Sequence, residues 1–204
     1  CLTINKDEIV GTNTDWVGFN EACTKHINNQ KILNFQCGDA LILGYGGAAK
    51  GVVYALTEMN FDRIIVFNRT INKIKNIGTL FGIPKEGRHT NECELVPEKI
   101  ENLAGYTDCN KVKSTKLIIN TTPTNILDNK TDWNIGKNVI GFDIVYRPRE
   151  GTGFLKNFNP KHRIEGIQML VYQAAPCFKL WFGIEPEVDE KLFEALYKKM
   201  DKKK

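Results

Sequence analysis

The chain has 204 residues, 42% of them hydrophobic and 25% charged, the composition of one large or two small globular domains. This excludes a disordered tail, a collagen-like rod and a disulfide miniprotein, and no apolar run is as long as a membrane span. With 28 basic and 24 acidic residues the net charge is +4. The charge is mild and scattered, so neither a nucleic-acid nor a membrane partner is expected. The lysines at 202–204 read as a solubilising tail. Charge within the first few residues argues against a secretory leader. Six cysteines at 1, 23, 37, 93, 109 and 177 form no CxxC pair, and the histidines at 26, 89 and 162 stand apart in sequence. No metal site is expected, and the thiols read as reduced, in a cytoplasmic protein. The Asn-x-Thr sequons at Asn68, Asn120 and Asn129 read as coincidence.

In chain order, Leu2 to Ile4 and Glu8 to Val10 predict a short strand pair, followed by Asn13-Thr14-Asp15 and an amphipathic helix to about Ile27. The unpaired edges of that strand pair would need a partner, so residues 1–29 read as a connector from a domain expected N-terminal to Cys1. Ala40 to Leu43 predicts a buried strand ending in glycines, and Gly51 to Glu58 a helix. Arg63 to Phe67 predicts a second strand, and Ile71 to Phe81 a helix with Ile71, Ile74, Ile77 and Leu80 on one face. The polar stretch from about 84 to 113 yields no assignment. Lys116 to Asn120 and Asn138 to Asp143 predict two more strands. Ile167 to Trp181 predicts a helix apolar nearly all round, and Glu187 to Met200 an amphipathic one. Continuous apolar strands interleaved with helices predict a doubly wound, Rossmann-like α/β fold, a mainly parallel sheet with helices on both faces. The division is a nucleotide-binding domain over 30–166 and C-terminal helices over 167–204.

Gly44-Tyr45-Gly46-Gly47-Ala48-Ala49 follows the first buried strand and opens a helix. Gly44, Gly46 and Ala49 fit G-x-G-x-x-G/A in its strand–loop–helix setting. Gly44 permits the tight turn, Gly46 the close approach of a pyrophosphate, and Ala49 the packing of helix on strand. The free N–H groups at the helix start suit an anion.

The second strand carries no acid at its C-terminal end to bind a ribose 2′-hydroxyl; Asp62 precedes the strand. Instead the strand ends in Asn68-Arg69-Thr70, with Lys73 following. Cations there suit a 2′-phosphate, and opposing a helix dipole they point to an anionic ligand. The cofactor expected is NADP.

Six segments in order resemble the shikimate dehydrogenase family: 11–19 (GTNTDWVGF), 43–51 (LGYGGAAKG), 68–70 (NRT), 120–123 (NTTP), 143–148 (DIVYRP) and 166–175 (GIQMLVYQAA). The resemblance covers the family's C-terminal portion along nearly the whole chain. It implies reversible NADPH-dependent reduction of 3-dehydroshikimate to shikimate, with proton transfer helped by a Lys/Asp pair.

By that resemblance Asp15 is the catalytic Asp, although the residue also suits a helix N-cap. Thr14, Tyr146 and Gln173 are implied to contact substrate. Gly44, Tyr45, Gly46, Gly47, Ala48, Asn68, Arg69, Thr70, Lys73, Asn120, Thr121, Thr122, Ile144, Gly166 and Met169 are implied to line the cofactor. Ile144 and Met169 would equally serve as core, and Asn120 to Thr122 as plain turn chemistry. The family's catalytic Lys belongs to its N-terminal substrate domain and has no counterpart here, so the chain alone is expected to be weak or inactive. Gly151-Thr152-Gly153 replaces a stretch that usually carries proline, which leaves that loop's shape open. Quinate dehydrogenase activity on the same scaffold, or a non-catalytic dinucleotide-sensing module, are the alternatives.

Overall fold

The computed structural model describes residues 1–5, 8–32, 35, 38–74, 93–108, 114–127, 133–147 and 151–201. Two strands, β1 (Leu2–Asn5) and β2 (Glu8–Gly11), form a separate antiparallel ribbon. Helix α1 (Asp15–Gln30) follows, then β3 (Asp39–Leu43), α2 (Gly47–Glu58) and β4 (Arg63–Asn68). Next come β5 (Glu94–Lys99), the short α3 (Leu103–Thr107), β6 (Thr115–Asn120) and β7 (Ile140–Asp143). The chain continues with β8 (Arg163–Glu165), α4 (Gly166–Phe182) and α5 (Glu190–Asp201).

Strands β3 to β8 form one sheet in the order β5-β4-β3-β6-β7-β8, parallel throughout. The chain starts at the centre with β3, runs outward to β5, then crosses to β6 and runs outward the other way. The order therefore reverses between β3 and β6, and ligands of open α/β sheets bind outside the carboxyl ends at such a switch point. The register aligns those ends: Leu43 pairs with Phe67 on one side and Asn120 on the other.

Side-chain alternation splits the apolar strands between two cores. Ile42, Ile64, Val66 and Ile119 face Phe19 of α1, Val52 and Leu56 of α2, and Met169 of α4. Leu41, Leu43, Ile65, Phe67 and Ile118 face Leu103 of α3 with Phe154 and Phe158. Each fully buried side chain of this size contributes about 1.5–3 kcal/mol. Helix α1, read from sequence as part of a connector, thus packs into the same core as the sheet, while neither the β1–β2 ribbon nor α5 contributes a residue to either cluster.

Several elements differ from expectation. The helix predicted over 71–81 shows only a 3-10 turn at Ile71–Lys73, and most of its remainder lies outside the described residues. Strands β5 and β8 went unpredicted because they are the sheet's edges. β5 is polar and carries Pro97, which an edge strand tolerates; β8 has three residues. Helix α4 is apolar all round, yet its last turns are exposed: Trp181 is 57% and Phe182 62% accessible. No described helix is long and apolar enough to cross a membrane.

At the amino-terminal edge of the sheet, Arg63 grips the buried Asp39 through Nε (2.8 Å) and Nη2 (2.5 Å), and Ser114 Oγ adds a third donor at 2.7 Å. This forked pair ties β3 to β4 at the end remote from the switch point.

Candidate functional site

The glycine loop leaves β3 at its carboxyl end. Gly44 has φ +97°, and a Cβ there would lie 2.6 Å from Thr122 Cγ2 and 2.9 Å from Thr121 Oγ1. Glycine is therefore required by the fold itself. Gly44 N–H donates to the Phe67 carbonyl at 2.8 Å, and the Thr121 hydroxyl donates to the Leu43 carbonyl at 2.8 Å. These bonds place the loop between the ends of β4 and β6.

Gly46 and Gly47 are different. Gly46 caps α2 with φ −87°, and a Cβ at either position meets nothing within 4 Å. Nothing in the chain requires glycine there. A phosphate lying on the helix start would require it, because a side chain would occupy its place. The residues present thus fit a dinucleotide. Ala49 is fully buried under the helix, while Tyr45 and Ala48 are half-buried beside the loop. Burial pushes the Tyr45 hydroxyl above its usual pKa.

Arg69 and Lys73 lie exposed just past the end of β4, and neither side chain makes a hydrogen bond or ion pair with a described residue. Asn68 Nδ2 donates to the Thr70 carbonyl at 3.1 Å and shapes the turn between them. The dipole argument for Arg69 needs a full helix, and only the one 3-10 turn is described. The case for an anion rests instead on two cations past the end of β4 whose side chains have no partner among the described residues. Asp62 sits before β4, at the opposite edge of the sheet, as the sequence indicated.

Asn120 is completely buried, and its amide is engaged internally. Oδ1 accepts from Thr122 N–H (3.2 Å) and Oγ1 (2.7 Å); Nδ2 lies 3.2 Å from both Asp143 Oδ1 and Thr152 Oγ1. Its side chain shapes the loop that Thr121 and Thr122 present. Thr152 closes this network onto Asp143 through its hydroxyl (2.8 Å) and N–H (3.0 Å). Gly151 has φ +60°, and a Cβ there would sit 2.7 Å from Asp143 Oδ2. That contact sets the loop whose shape the sequence left open. Ile144 is half-buried, Met169 is core, and Gly166 touches the Ile144 carbonyl so closely that a Cβ would lie 2.4 Å from it. In this structure these three positions pack β7 against α4.

The second cluster sits at the start of α1. Thr14 occupies the N-cap position without making a cap bond; Asn13 Oδ1 accepts from Asp15 N–H at 2.8 Å instead. Asp15 is thus not the capping residue. Its carboxylate makes no hydrogen bond or ion pair with a described residue. A Cβ on Gly51 of α2 would lie 3.2 Å from Asp15 Cβ, so α1 crosses α2 at this point.

Gly18 permits an equally close crossing with α4, where a Cβ would meet the Met169 carbonyl at 2.5 Å and Gln173 Cβ at 2.7 Å. That crossing delivers Gln173 to Thr14, whose hydroxyl donates to Oε1 at 3.2 Å, while Gln173 Nε2 donates to the Leu170 carbonyl at 3.0 Å. Cys177 Sγ lies 3.2 Å from the same hydroxyl. Tyr146 is 39% exposed and lies elsewhere, beside Gly166, Ile167 and Tyr197. The structure therefore joins Thr14 to Gln173, sets Asp15 against α2, and keeps Tyr146 apart. Asn13, Asp143, Thr152 and Cys177 were missed. Only Asn13 carried a sequence signal, its Asn-Thr-Asp spacing suiting an Asx turn.

Residues 166–190 match the family model described as the shikimate 5'-dehydrogenase C-terminal domain. A shikimate dehydrogenase (NADP(+)) from Bartonella quintana is 32% identical over 199 residues, covering 91% of this chain and 60% of that protein. A solved shikimate dehydrogenase in complex with NADP+ is 26% identical with TM-score 0.68, over 99% of this chain and 65% of that one. A quinate dehydrogenase from Corynebacterium glutamicum in complex with NAD shares the fold at 21% identity and TM-score 0.69, over 91% of this chain and 63% of that one. The chain spans about 60% of the length of the curated relatives it matches.

Proposed function

We propose that this chain belongs to the shikimate dehydrogenase family, which its relatives and the family match support, and is the cofactor-binding portion of an NADP-dependent enzyme that interconverts 3-dehydroshikimate and shikimate. The observation that carries the reading is the pair of glycines, Gly46 and Gly47, whose added Cβ would meet nothing within 4 Å, together with Arg69 and Lys73, whose side chains have no partner among the described residues. NADP, when bound, supplies or accepts the hydride. The glycine loop holds its pyrophosphate, and Arg69 and Lys73 hold the 2′-phosphate.

Asp15 keeps its carboxylate free at the start of α1, where it orients a substrate hydroxyl and the ammonium of a lysine brought by the N-terminal portion. Gln173, fixed by Thr14 and Leu170, offers its remaining N–H and lone pair to the same substrate. Tyr146, exposed at the end of β7, meets substrate only when that portion closes the cleft. Division at about residues 29 and 166 remains the working domain plan, with α1 serving both the hinge and the core.

The family's N-terminal domain would cover the exposed apolar surface of the β1–β2 ribbon and the end of α4. Leu2, Ile4 and Ile9 are 62–72% accessible there, and Trp181 Nε1 ties the two pieces together through the Leu2 carbonyl at 3.0 Å. A reducing, cytoplasmic setting accords with Cys1, Cys23, Cys93 and Cys177 all being free. Quinate as substrate is the second reading, and the absence of an acid at the end of β4 weighs against the NAD preference the solved quinate enzyme's complex suggests.

Shikimate-dependent reduction of NADP, followed by nicotinamide absorbance, tests the assignment. The chain alone should bind NADP with negligible turnover, and addition of a relative's N-terminal portion should restore it. Turnover with quinate but not shikimate would move the assignment to the second reading. NADP binding without turnover on either substrate, after that addition, would favour a dinucleotide sensor.

A further inference from the structure

We infer that Thr152 is a positioning residue for the cofactor loop, acting through Asp143 and Asn120. The inference rests on the reading of the switch point as the NADP site. Asp143 is 1% exposed at the end of β7, and no lysine or arginine pairs with it among the described residues. A buried carboxylate without a countercharge depends on its hydrogen bonds. Among the described residues four donors reach it: Val145 N–H at 3.2 Å, Asn120 Nδ2 at 3.2 Å, and Thr152 through N–H at 3.0 Å and Oγ1–H at 2.8 Å. Thr152 supplies two of the four.

The direction of the chain of bonds is fixed by chemistry. A carboxylate only accepts, so the single Thr152 hydroxyl proton goes to Asp143. Thr152 Oγ1 can then only accept from its other neighbours, Asn120 Nδ2 at 3.2 Å and Phe154 N–H at 3.3 Å. Asn120 Nδ2 is shared among Asp143 Oδ1, Thr152 Oγ1 and the Thr122 and Thr124 carbonyls at 3.1–3.3 Å, and Oδ1 is thereby turned toward Thr122, where it accepts from N–H and Oγ1. Thr122 in turn lies against Gly44, at 2.6 Å from where a Cβ would stand. A loop following β7 thereby sets the shape of the loop following β6 and the entry to the glycine loop after β3. The three loops surround the switch point, and one hydroxyl orders the path between them.

NADP affinity of the chain itself tests this by isothermal titration, well below the thermal midpoint of every variant. Thr152→Val preserves shape and removes the hydroxyl. It should weaken NADP about three- to tenfold, the span of one neutral hydrogen bond, and Thr152→Ser should restore affinity. Ser114→Ala, which strips a donor from the buried Asp39 at the opposite edge of the sheet, should lower the thermal midpoint and leave NADP affinity unchanged. Unchanged affinity in Thr152→Val, or equal losses in Thr152→Val and Ser114→Ala, overturns the inference. Failure of the unmodified chain to bind NADP would overturn the site reading instead, a result distinct from either.

Discussion

Adding one methyl group at either of two glycines two residues apart should have opposite consequences. Gly44→Ala places a Cβ at φ +97°, 2.6 Å from Thr122 Cγ2 and 2.9 Å from Thr121 Oγ1. The left-handed backbone costs about 1–2 kcal/mol for a residue with a Cβ, and the clash with Thr122 adds to it because that side chain is held by Asn120. For a chain of this size about 2 kcal/mol lowers the thermal midpoint by roughly 4–8 °C. Gly46→Ala meets no atom within 4 Å, at φ −87°. There the stiffer unfolded chain favours folding by about 0.4–1 kcal/mol, while loss of a glycine N-cap opposes it by a similar amount. Its midpoint should therefore stay close to that of the unmodified chain. Binding should go the other way, because the new methyl occupies the place of a phosphate and NADP affinity should fall at least tenfold, about 1.4 kcal/mol. Thermal melting with and without NADP separates the two effects, since ligand binding raises the midpoint by mass action. A Gly46→Ala variant that binds NADP as well as the unmodified chain refutes the placement of the pyrophosphate.

Arg69→Ala should weaken NADP by about ten- to hundredfold, the worth of one charged hydrogen bond, and leave NAD nearly untouched; equal losses for both cofactors would remove the 2′-phosphate assignment. Asp15→Asn, in the enzyme completed by its N-terminal portion, should depress kcat strongly with little change in NADP affinity. Because Asn13 makes the cap bond, the thermal midpoint should move by no more than the dipole contribution of one first-turn acid, about 0.3–1 kcal/mol, and a large drop with normal specific activity would return Asp15 to a structural role. His26 has its pKa lowered by burial and by the neighbouring His162, against a raising contribution from the Lys161 backbone. A histidine whose folded pKa lies below its unfolded one stabilises the fold fully above the unfolded value and loses that stability as pH falls below it. The unfolding free energy should accordingly decline as pH falls from 7 to 5, by at most about 1.4 kcal/mol per pH unit from this group, and the thermal midpoint should fall with it. His26→Gln should flatten the decline, and an unaltered slope would show that other groups carry it.

The strands that position the cofactor were legible because each is a continuous apolar run buried on both faces: β3, β4, β6 and β7 lie within two residues of where the sequence put them. The edges were not. β5 has no buried residue, only four half-buried ones between exposed ends, and carries Pro97, so its composition reads as loop until a neighbouring strand supplies the hydrogen bonds. The glycine loop was legible for the same reason as the central strands, since its setting between strand and helix is local. What sequence spacing does not reveal is contact between distant segments. Thr14 meets Gln173 and Cys177 from more than 150 residues away, and His26 and His162, which stood apart in sequence, are neighbours. Nor does spacing distinguish a residue that faces a ligand from one that holds the residue that does. Asn120 is the example: its motif belongs to the cofactor loop, yet its amide is buried and turned onto Asp143 and Thr152.

That distinction bears on how such a scaffold can serve different substrates. The buried parts of the site fall on the sheet side, where Asn120, Asp143 and Gly44 are fixed by contacts within the fold. The groups without a side-chain partner among the described residues (Asp15, Arg69 and Lys73) and the outer edge of Gln173 lie at its rim. A change of cofactor or substrate preference can be made at the rim, by exchanging Arg69 or a neighbour of Gln173, without disturbing the internal network. A change at Asn120 or Asp143 leaves a buried polar group unpaired and costs about 1–3 kcal/mol before any ligand is considered.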